Sequence, residues 1–181
     1  GVAAQLAVVQ AAGPFGIYPM GEITVGGSHA AAFLDHTLTT TASALAVGGA
    51  QYSLMCNDRG GVIDDLYVYR IASEDFLLMV NATRTEEDRQ WLKHVRSIRG
   101  DDCPVEIEDQ SKQTGALAVQ GPATAFFIDA LFRDEGRIAV KQPTDLSKNQ
   151  VDAFPFGAGE VFVARTGYTG EDGFEIIAPN E

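Results

Sequence analysis

The sequence contains little cysteine, little positive charge and no long apolar run. Its two cysteines are too few for a disulfide scaffold in 181 residues and suit a reducing setting, either cytoplasmic or, in a eukaryote, the mitochondrial matrix. Thirteen basic against 25 acidic residues give a formal charge of −12, which repels nucleic acid and anionic membranes. No apolar stretch approaches the roughly 18 residues of a membrane span. Small molecules and proteins remain as partners.

The apolar fraction is large enough for a core, since 45% of the residues are hydrophobic. Strand-like and helix-like runs alternate between evenly spread turn signals, and no repeat or low-complexity linker divides them. This organisation predicts an α+β fold, with mixed or antiparallel sheets and packed helices. We assign residues 1–181 to one region, with a subdomain inserted around residues 46–113.

The local patterns predict most elements individually. A hairpin with a four-residue loop at 58–61 and a capping box from Thr85 to Asp88 are the clearest signals. The predicted strands are 20–25, 51–57, 62–70, 76–81, 105–108, 116–120, 137–141, 160–165 and 174–178. The predicted helices follow Ser28 as a cap, run from Thr85 to about Gly100, and run from Pro122 to Phe132. Residues 143–159 are expected to be irregular.

The paired acids Asp64 and Asp65 lie inside an otherwise apolar strand. Because successive strand side chains point to opposite faces, one carboxylate must lie on the more buried face. The hairpin register predicts that Asp65 shares its face with Tyr52 and Tyr67, where desolvation would favour the neutral acid and a ligand nitrogen could be bound. The alternative is a pair at a sheet edge that binds backbone amides or faces water.

A second unusual segment runs through residues 165–176, with three glycines in seven residues around Tyr168. The glycines permit tight turns and close approach to a ligand, and Tyr168 could offer an open ring face to a flat heterocycle. Glu175 interrupts an apolar run, where its carboxylate could accept two parallel N–H donors. The alternative is a simple hairpin in which Glu175 points to solvent.

The remaining polar signals indicate structure more than chemistry. His29 and His36 are seven residues apart, farther than the spacing that places two histidines on one metal ion. His94 is expected on the surface of its helix. The run Glu86-Glu87-Asp88 lies at a helix N-terminus, where the helix dipole favours negative charge.

Five blocks together resemble the glycine cleavage T-protein family of aminomethyltransferases. In order they are PMGEITVGG, QYSLMCNDRGGVIDDLYVYR, FLLMVNATR, LAVQGP and ARTGYTGEDGFEI. The second and fifth blocks are specific, whereas LAVQGP alone would be weak. The resemblance covers nearly the whole chain and implies subdomains around a tetrahydrofolate-binding hole. The family's helical stretch and small β-barrel would follow after Glu181, so we expect the region to be incomplete.

The resemblance also implies an activity and site residues. The family transfers a one-carbon unit from the aminomethyl-lipoyl arm of the H-protein to tetrahydrofolate, with release of ammonia. Its G-G-x-x-D-D motif places the catalytic acid on Asp65. The same mapping places cofactor-binding residues on Tyr52, Val80, Asn81, Tyr168 and Glu175, with Glu175 at the pterin. Tetrahydrofolate is the implied cofactor and the lipoylated H-protein the implied partner.

The sequence departs from the family pattern in one segment and leaves other functions open. The family's L-F-D-V-S-H-M segment is replaced here by Pro14-Phe15-Gly16-Ile17-Tyr18-Pro19-Met20, which alters the expected entrance. One rival is another folate-dependent demethylase or dehydrogenase-associated domain, although these usually lack G-Y-T-G-E-D-G. A second rival is a non-catalytic folate-binding protein, although those relatives carry a cysteine motif where this chain has Arg165-Thr166-Gly167-Tyr168.

Overall fold

The computed structural model describes residues 13–16, 20–100, 103–167 and 169–180. Contacts divide the chain into two compact units, one of Pro19–Gln113 and one of Gly1–Tyr18 with Thr114–Glu181. Each unit contains one five-stranded sheet, and every strand pair among the described residues is antiparallel. The predicted α+β fold with antiparallel sheets is confirmed.

The elements follow one another in a fixed chain order. The strands are β1 (Gly13–Gly16), β2 (Met20–Gly26), β3 (Ala50–Cys56), β4 (Val62–Arg70), β5 (Asp75–Asn81), β6 (Glu106–Asp109), β7 (Thr114–Gln120), β8 (Val151–Phe156), β9 (Gly159–Ala164) and β10 (Gly173–Pro179). The α-helices are α1 (Ala30–Thr37) and α2 (Thr85–Arg99). Short 3-10 helices lie at Ala42–Ala44, Thr124–Phe126, Ile128–Leu131 and Pro143–Asp145. Neither α-helix of the described chain could span a membrane.

The sheet of the Pro19–Gln113 unit has the strand order β3-β4-β5-β2-β6. Because β2 pairs with both β5 and β6, this compact unit begins earlier in the chain than the boundary near residue 46 that the sequence suggested. Helices α1 and α2 supply apolar side chains to a core on one face of the sheet. Its fully buried members include Ile23, Phe33, Leu34, Leu66, Leu78 and Leu92.

The opposite face of this sheet carries a row of tyrosines. The rings of Tyr52 and Tyr67 meet edge to face at 5.9 Å, and Tyr67 stacks on Tyr69 at the same distance. Aromatic pairs at this spacing favour such geometries and stabilise the packing of neighbouring rings. Residue Asp65 belongs to the same face by strand alternation. We call Tyr52, Asp65, Tyr67 and Tyr69 the tyrosine face.

The helix starts differ from their predicted caps. Ser28 does not cap α1, because the N-cap residue is His29 and no side chain caps that helix. At α2 the N-cap is Arg84, again without a side-chain cap. Thr85 instead donates through its hydroxyl to the carbonyls of Asn81 and Ala82, at 3.3 and 3.2 Å. Both cap predictions were therefore wrong, although the helices themselves were predicted.

The sheet of the second unit has the order β1-β7-β10-β9-β8. Residues 122–132 were predicted to form an α-helix, and this was wrong, because they form two 3-10 turns. Their aromatic and β-branched residues have low helix propensity, and Phe126 is 90% exposed while Ile128 is fully buried. The buried side chains of this unit's core are Ile128, Leu146, Phe154, Val161, Val163 and Phe174.

A buried carboxylate explains a second difference in this unit. Residues 137–141 were predicted as a strand, which was wrong. The carboxylate of Asp152 accepts hydrogen bonds from the backbone amides of Ile138, Ala139 and Val140, at 2.7 to 2.9 Å. Those amides are therefore bound to a side chain and not to a neighbouring strand. Asp152 itself lies on β8, within the region predicted to be irregular.

Candidate functional site

The β3–β4 hairpin determines which side chains accompany the paired acids. Tyr52 lies opposite Tyr67, and Leu54 lies opposite Asp65. This is the register predicted from the sequence, and it is confirmed for most of the hairpin. The register shifts by one residue only after Met55, so the grouping of Tyr52 with Asp65 is unaffected.

The more buried carboxylate of the pair is Asp64 and not Asp65. Asp64 is 5% exposed and shares the helix-covered face with Leu66 and Val68, whereas Asp65 is half-buried on the tyrosine face. The prediction that Asp65 lies on the more buried face was wrong. The helices pack on the face that carries the aliphatic residues of β4, and alternation then places Asp64 beneath them.

Asp65 is held by a phenol from the neighbouring strand. The hydroxyl of Tyr52 donates to Oδ2 of Asp65 at 2.9 Å. This hydrogen bond is the main cause that raises the pKa of Tyr52 above its usual value of 10.0, since it stabilises the protonated phenol. Because Tyr52 is 47% exposed, the pair lies at a surface that a ligand can reach.

Asn81, at the end of β5, connects the two acids. Its side-chain Nδ2 donates to Oδ1 of Asp64 at 2.7 Å, and to the backbone carbonyl and Oδ1 of Asp65 at 3.2 and 3.3 Å. Its backbone amide donates to the other oxygen of Asp64 at 3.0 Å. One amide therefore fixes carboxylates that lie on opposite faces of the sheet. Three of the predicted site residues, Asp65, Tyr52 and Asn81, form one hydrogen-bonded group.

Val80 precedes Asn81 but lies on the core face. Its side chain is fully buried and belongs to the apolar core that α1 and α2 cover. Any contact of Val80 with a ligand would therefore have to come from its main chain. The side chain contributes instead to holding the end of β5 against the helices.

The sequence interpretation missed Asp88, which is fully buried on α2. Neither of its carboxyl oxygens receives a hydrogen bond from a donor in the described part of the chain. Its polar neighbour is the carboxylate of Asp64. Burial, and next the hydrogen bond and charge of Asp64, raise the pKa of Asp88 from 3.8 to about 8. At neutral pH Asp88 therefore keeps its proton and can donate it in a hydrogen bond to Asp64.

A signal for Asp88 was present in the sequence. Asp88, Leu92 and Val95 are spaced four and three residues apart, which places them on one helix face, and all three are the buried residues of α2. From the sequence, Asp88 was interpreted as one of three acids that the helix dipole favours, and its burial was not predicted. The helical spacing indicated that Asp88 is buried, but Asp88 was assigned to a capping box instead.

Glu175 lies in the second unit and is buried. It is 3% exposed, so the alternative in which it points to solvent is wrong. The hydroxyl of Thr166 donates to Oε2 of Glu175. On β10 it pairs with Ala118 of β7 and Ala164 of β9, which are both small residues. This is a carboxylate in an apolar strand that can accept N–H donors in a defined direction.

The glycine-rich turn before Glu175 is clamped by charge. The guanidinium of Arg165 donates to both carboxylate oxygens of Asp172, at 2.9 and 2.6 Å. This bidentate pair lowers the pKa of Asp172 and raises that of Arg165. Two glycines of this segment are required by packing, because a Cβ at Gly167 or Gly173 would collide with the buried side chain of Gln120. The backbone of these glycines therefore lies close to Gln120.

The remaining residues considered in the sequence analysis are Tyr168 and the three histidines. Tyr168 lies outside the described residues. His29, His36 and His94 are all exposed, which confirms the prediction for His94.

The group around Asp65 has a definite chemical capacity. It combines a carboxylate, a phenol and an amide on the tyrosine face of the sheet. A carboxylate held in this way can accept a hydrogen bond from a ligand nitrogen and stabilise positive charge on that nitrogen. Its orientation does not depend on a mobile loop, because β3, β4 and β5 supply all three side chains.

Comparison with known proteins identifies the family. Residues 2–181 match the model of the GCVT N-terminal domain. The chain is 42% identical to an aminomethyltransferase of Thermus thermophilus and 40% identical to one of Exiguobacterium sibiricum, over 97% and 96% of its length. It resembles the crystal structure of the glycine cleavage system aminomethyltransferase T from Bartonella henselae, with a TM-score of 0.80 and 33% identity over 99% of this chain.

The matches also have a limited extent in the relatives. The chain spans about half the length of the proteins it matches, 48% and 45% of the two curated relatives and 45% of the Bartonella henselae chain. The family model and the fold agree over nearly every residue of this chain. The chain therefore belongs to the GCVT family of glycine cleavage aminomethyltransferases.

Proposed function

We propose that this chain is the folate-binding part of a glycine cleavage aminomethyltransferase. Family membership and the names of the matched relatives support the reaction class. The observation that carries the proposal is the group around Asp65, where Tyr52 and Asn81 hold one carboxylate on the tyrosine face. Asp65 is also the second Asp of the G-G-x-x-D-D motif.

The proposed reaction moves one carbon. The methylene carbon of the aminomethyl-lipoyl H-protein loses its bonds to the amine nitrogen and to the lipoyl sulfur. It gains bonds to two nitrogens of tetrahydrofolate and gives 5,10-methylenetetrahydrofolate. The two protons that leave those nitrogens go to the amine and the thiolate, so that ammonia and the dihydrolipoyl group are released. No oxidant or reductant is required.

Asp65 is the proposed catalytic residue. Its carboxylate would orient the folate by accepting a hydrogen bond from the reacting nitrogen, and it would stabilise positive charge as ammonia leaves. Tyr52 and Asn81 would bind the cofactor and keep Asp65 in one direction. Val80 would contribute through its main chain, since its side chain is buried in the core.

Glu175 and Tyr168 are the proposed pterin-binding residues of the second unit. A pterin presents two parallel N–H donors, its 2-amino group and N3, and a carboxylate can accept both. Burial at 3% exposure supports a role for Glu175 other than solvation, since a buried acid requires partners. Tyr168 would supply a ring face beside the heterocycle.

The proposed partner is the lipoylated H-protein, which carries the aminomethyl group. The proposed location is the cytoplasm, or the mitochondrial matrix in a eukaryote. Both cysteines, Cys56 and Cys103, are free thiols, which fits a reducing compartment. A non-catalytic folate-binding protein and another folate-dependent demethylase remain the alternatives, and no observation on the described residues favours either.

The test is aminomethyl transfer in the protein, measured as ammonia release from the aminomethyl-lipoyl H-protein with tetrahydrofolate. Asp65→Asn keeps the shape of the side chain and removes its charge. We expect transfer to fall by about 100-fold or more, the size of effect found for catalytic acids and bases, while the fold is retained. Asp65→Ala should be at least as inactive.

The matched control is Asp58→Asn, which removes an exposed acid from the loop of the same hairpin. This variant should transfer at the wild-type rate. If Asp65→Asn also keeps wild-type activity, Asp65 has no catalytic role. If the protein binds tetrahydrofolate but releases no ammonia even when the chain is extended to the length of its relatives, the non-catalytic alternative is correct.

A further inference from the structure

The buried acid Asp88 lies beside the group that holds Asp65 and has no role in the reaction as proposed above. Asp88 is fully buried and its oxygens accept no hydrogen bond in the described chain. A buried ionised carboxylate without partners is costly. Two adjacent buried carboxylates avoid this cost when one keeps its proton and donates to the other.

Hydrogen bonds connect Asp64 through Asn81 to Asp65 on the tyrosine face. Asp64 accepts hydrogen bonds from both the backbone amide and the side chain of Asn81, at 3.0 and 2.7 Å. The same Asn81 amide contacts Asp65 at 3.3 Å. Asp64, Asn81 and Asp65 therefore form a hydrogen-bonded series that crosses the sheet from the helix side to the tyrosine face. The fully buried Asp88 is a neighbour of Asp64, at the helix side of this series.

We propose that Asp88 is a positioning residue, which donates a hydrogen bond to Asp64 and thereby holds the Asn81 amide against Asp65. Asp88 does not touch the cofactor in this proposal. Its proton fixes the direction of the Asp64 carboxylate, and that carboxylate fixes the rotamer of Asn81. The positioning of Asn81 stands by itself, whereas its effect on folate binding rests on the proposed function.

The charged groups that face Asp88 come from two elements. On β4 the neighbour is Asp64, which favours the protonated form of Asp88. On α2, Glu87 also favours the protonated form, and Arg84, the N-cap residue before the helix, opposes it. The guanidinium of Arg84 is engaged elsewhere, since it donates to the carbonyl of Ile63 at 3.1 and 3.2 Å. Burial decides the balance, because it is the largest of these effects.

The test follows the NMR signals of the Asn81 side-chain amide with pH, in the protein without any ligand. In wild type these signals should shift with a midpoint near pH 8, when Asp88 ionises. In Asp88→Asn the pH-dependent shift should disappear while the signals keep their neutral-pH positions, because the new amide still donates to Asp64. In Asp88→Ala the signals should move at all pH values, since Asp64 loses its donor.

Tetrahydrofolate binding provides the functional readout. Asp88→Ala should raise Kd by about tenfold, whereas Asp88→Asn should stay within about threefold of wild type. The matched control is Val95→Ala, which truncates a buried residue on the same helix face and should leave the Asn81 signals unchanged.

These experiments distinguish the positioning role of Asp88 from the proposed function. The proposal is overturned if the Asn81 signals of wild type do not change with pH. It is also overturned if Asp88→Asn shifts these signals as Asp88→Ala does, or if Val95→Ala shifts them as much as Asp88→Ala does. If wild type fails to bind tetrahydrofolate while the Asn81 signals respond as expected, the proposed function fails and the positioning role of Asp88 stands.

Discussion

Replacing Asp88 by asparagine should make the free energy of unfolding less dependent on pH. Burial and Asp64 raise the pKa of Asp88 from 3.8 to about 8. Between these values the unfolded chain is ionised at this residue while the folded protein keeps the proton. The folded state then binds one more proton, so wild-type stability falls as pH rises through this range. The stabilising contribution is fully present below the unfolded pKa and is lost above the folded one.

The size of the effect follows from proton linkage. One extra bound proton lowers the free energy of unfolding by about 1.4 kcal/mol per pH unit, or at most about 4 kcal/mol between about pH 5 and about pH 8. Relaxation and water entry around the ionised carboxylate reduce this limit, and we expect about 2 kcal/mol. Asparagine cannot ionise, so the variant should not show this loss.

The assay is urea unfolding followed by circular dichroism at a series of pH values, for wild type and Asp88→Asn. The difference between the two free energies of unfolding cancels the groups that titrate identically in both proteins. As pH rises, the free energy of unfolding of Asp88→Asn should increase relative to that of wild type. Asp58→Asn, a change in an exposed loop, should follow wild type. A difference between wild type and Asp88→Asn that stays constant within about 0.5 kcal/mol would show that Asp88 does not keep a proton in the folded protein over this pH range.

Three further substitutions test the packing. Gly173→Ala should destabilise the protein by about 1–3 kcal/mol, because the new Cβ would lie 2.5 Å from the buried side chain of Gln120; urea unfolding measures this. Gly159→Ala should cost about 1 kcal/mol or less, since nothing lies within 4 Å of a Cβ there, and an equal loss in both variants would contradict the packing argument. Leu78→Ala should cost about 2–5 kcal/mol, because Leu78 is fully buried in the core under the helices; a loss below about 1 kcal/mol would contradict this.

Local sequence patterns predicted the hairpin well, and the reason is physical. A short turn and strict alternation fix strand register, so that the sequence alone was enough to group Tyr52 with Asp65. The same reasoning could not show which face the helices cover. That depends on long-range packing, and it decided that Asp64 and not Asp65 is the more buried acid.

The missed elements have specific causes. Strand β8 lies within residues 143–159, which were expected to be irregular. It contains Pro155, and a proline is tolerated there because β8 lies at the edge of its sheet. Residues 137–141 looked like a strand, yet their amides bind the carboxylate of Asp152, a contact between residues distant in sequence. Asp88 was missed because its capping-box pattern competed with its helical spacing. The side chain of Tyr168 lies outside the described residues, so its role stays a prediction.

The most direct test of the central claim is calorimetric titration of the protein with tetrahydrofolate. Wild type and Asp58→Asn should show saturable one-to-one binding. Binding to Asp65→Asn should be weaker by about tenfold or more, because a charged hydrogen-bond partner is lost. Equal affinity for tetrahydrofolate in wild type and Asp65→Asn, or no binding to wild type at all, would contradict the proposed folate-binding role of Asp65.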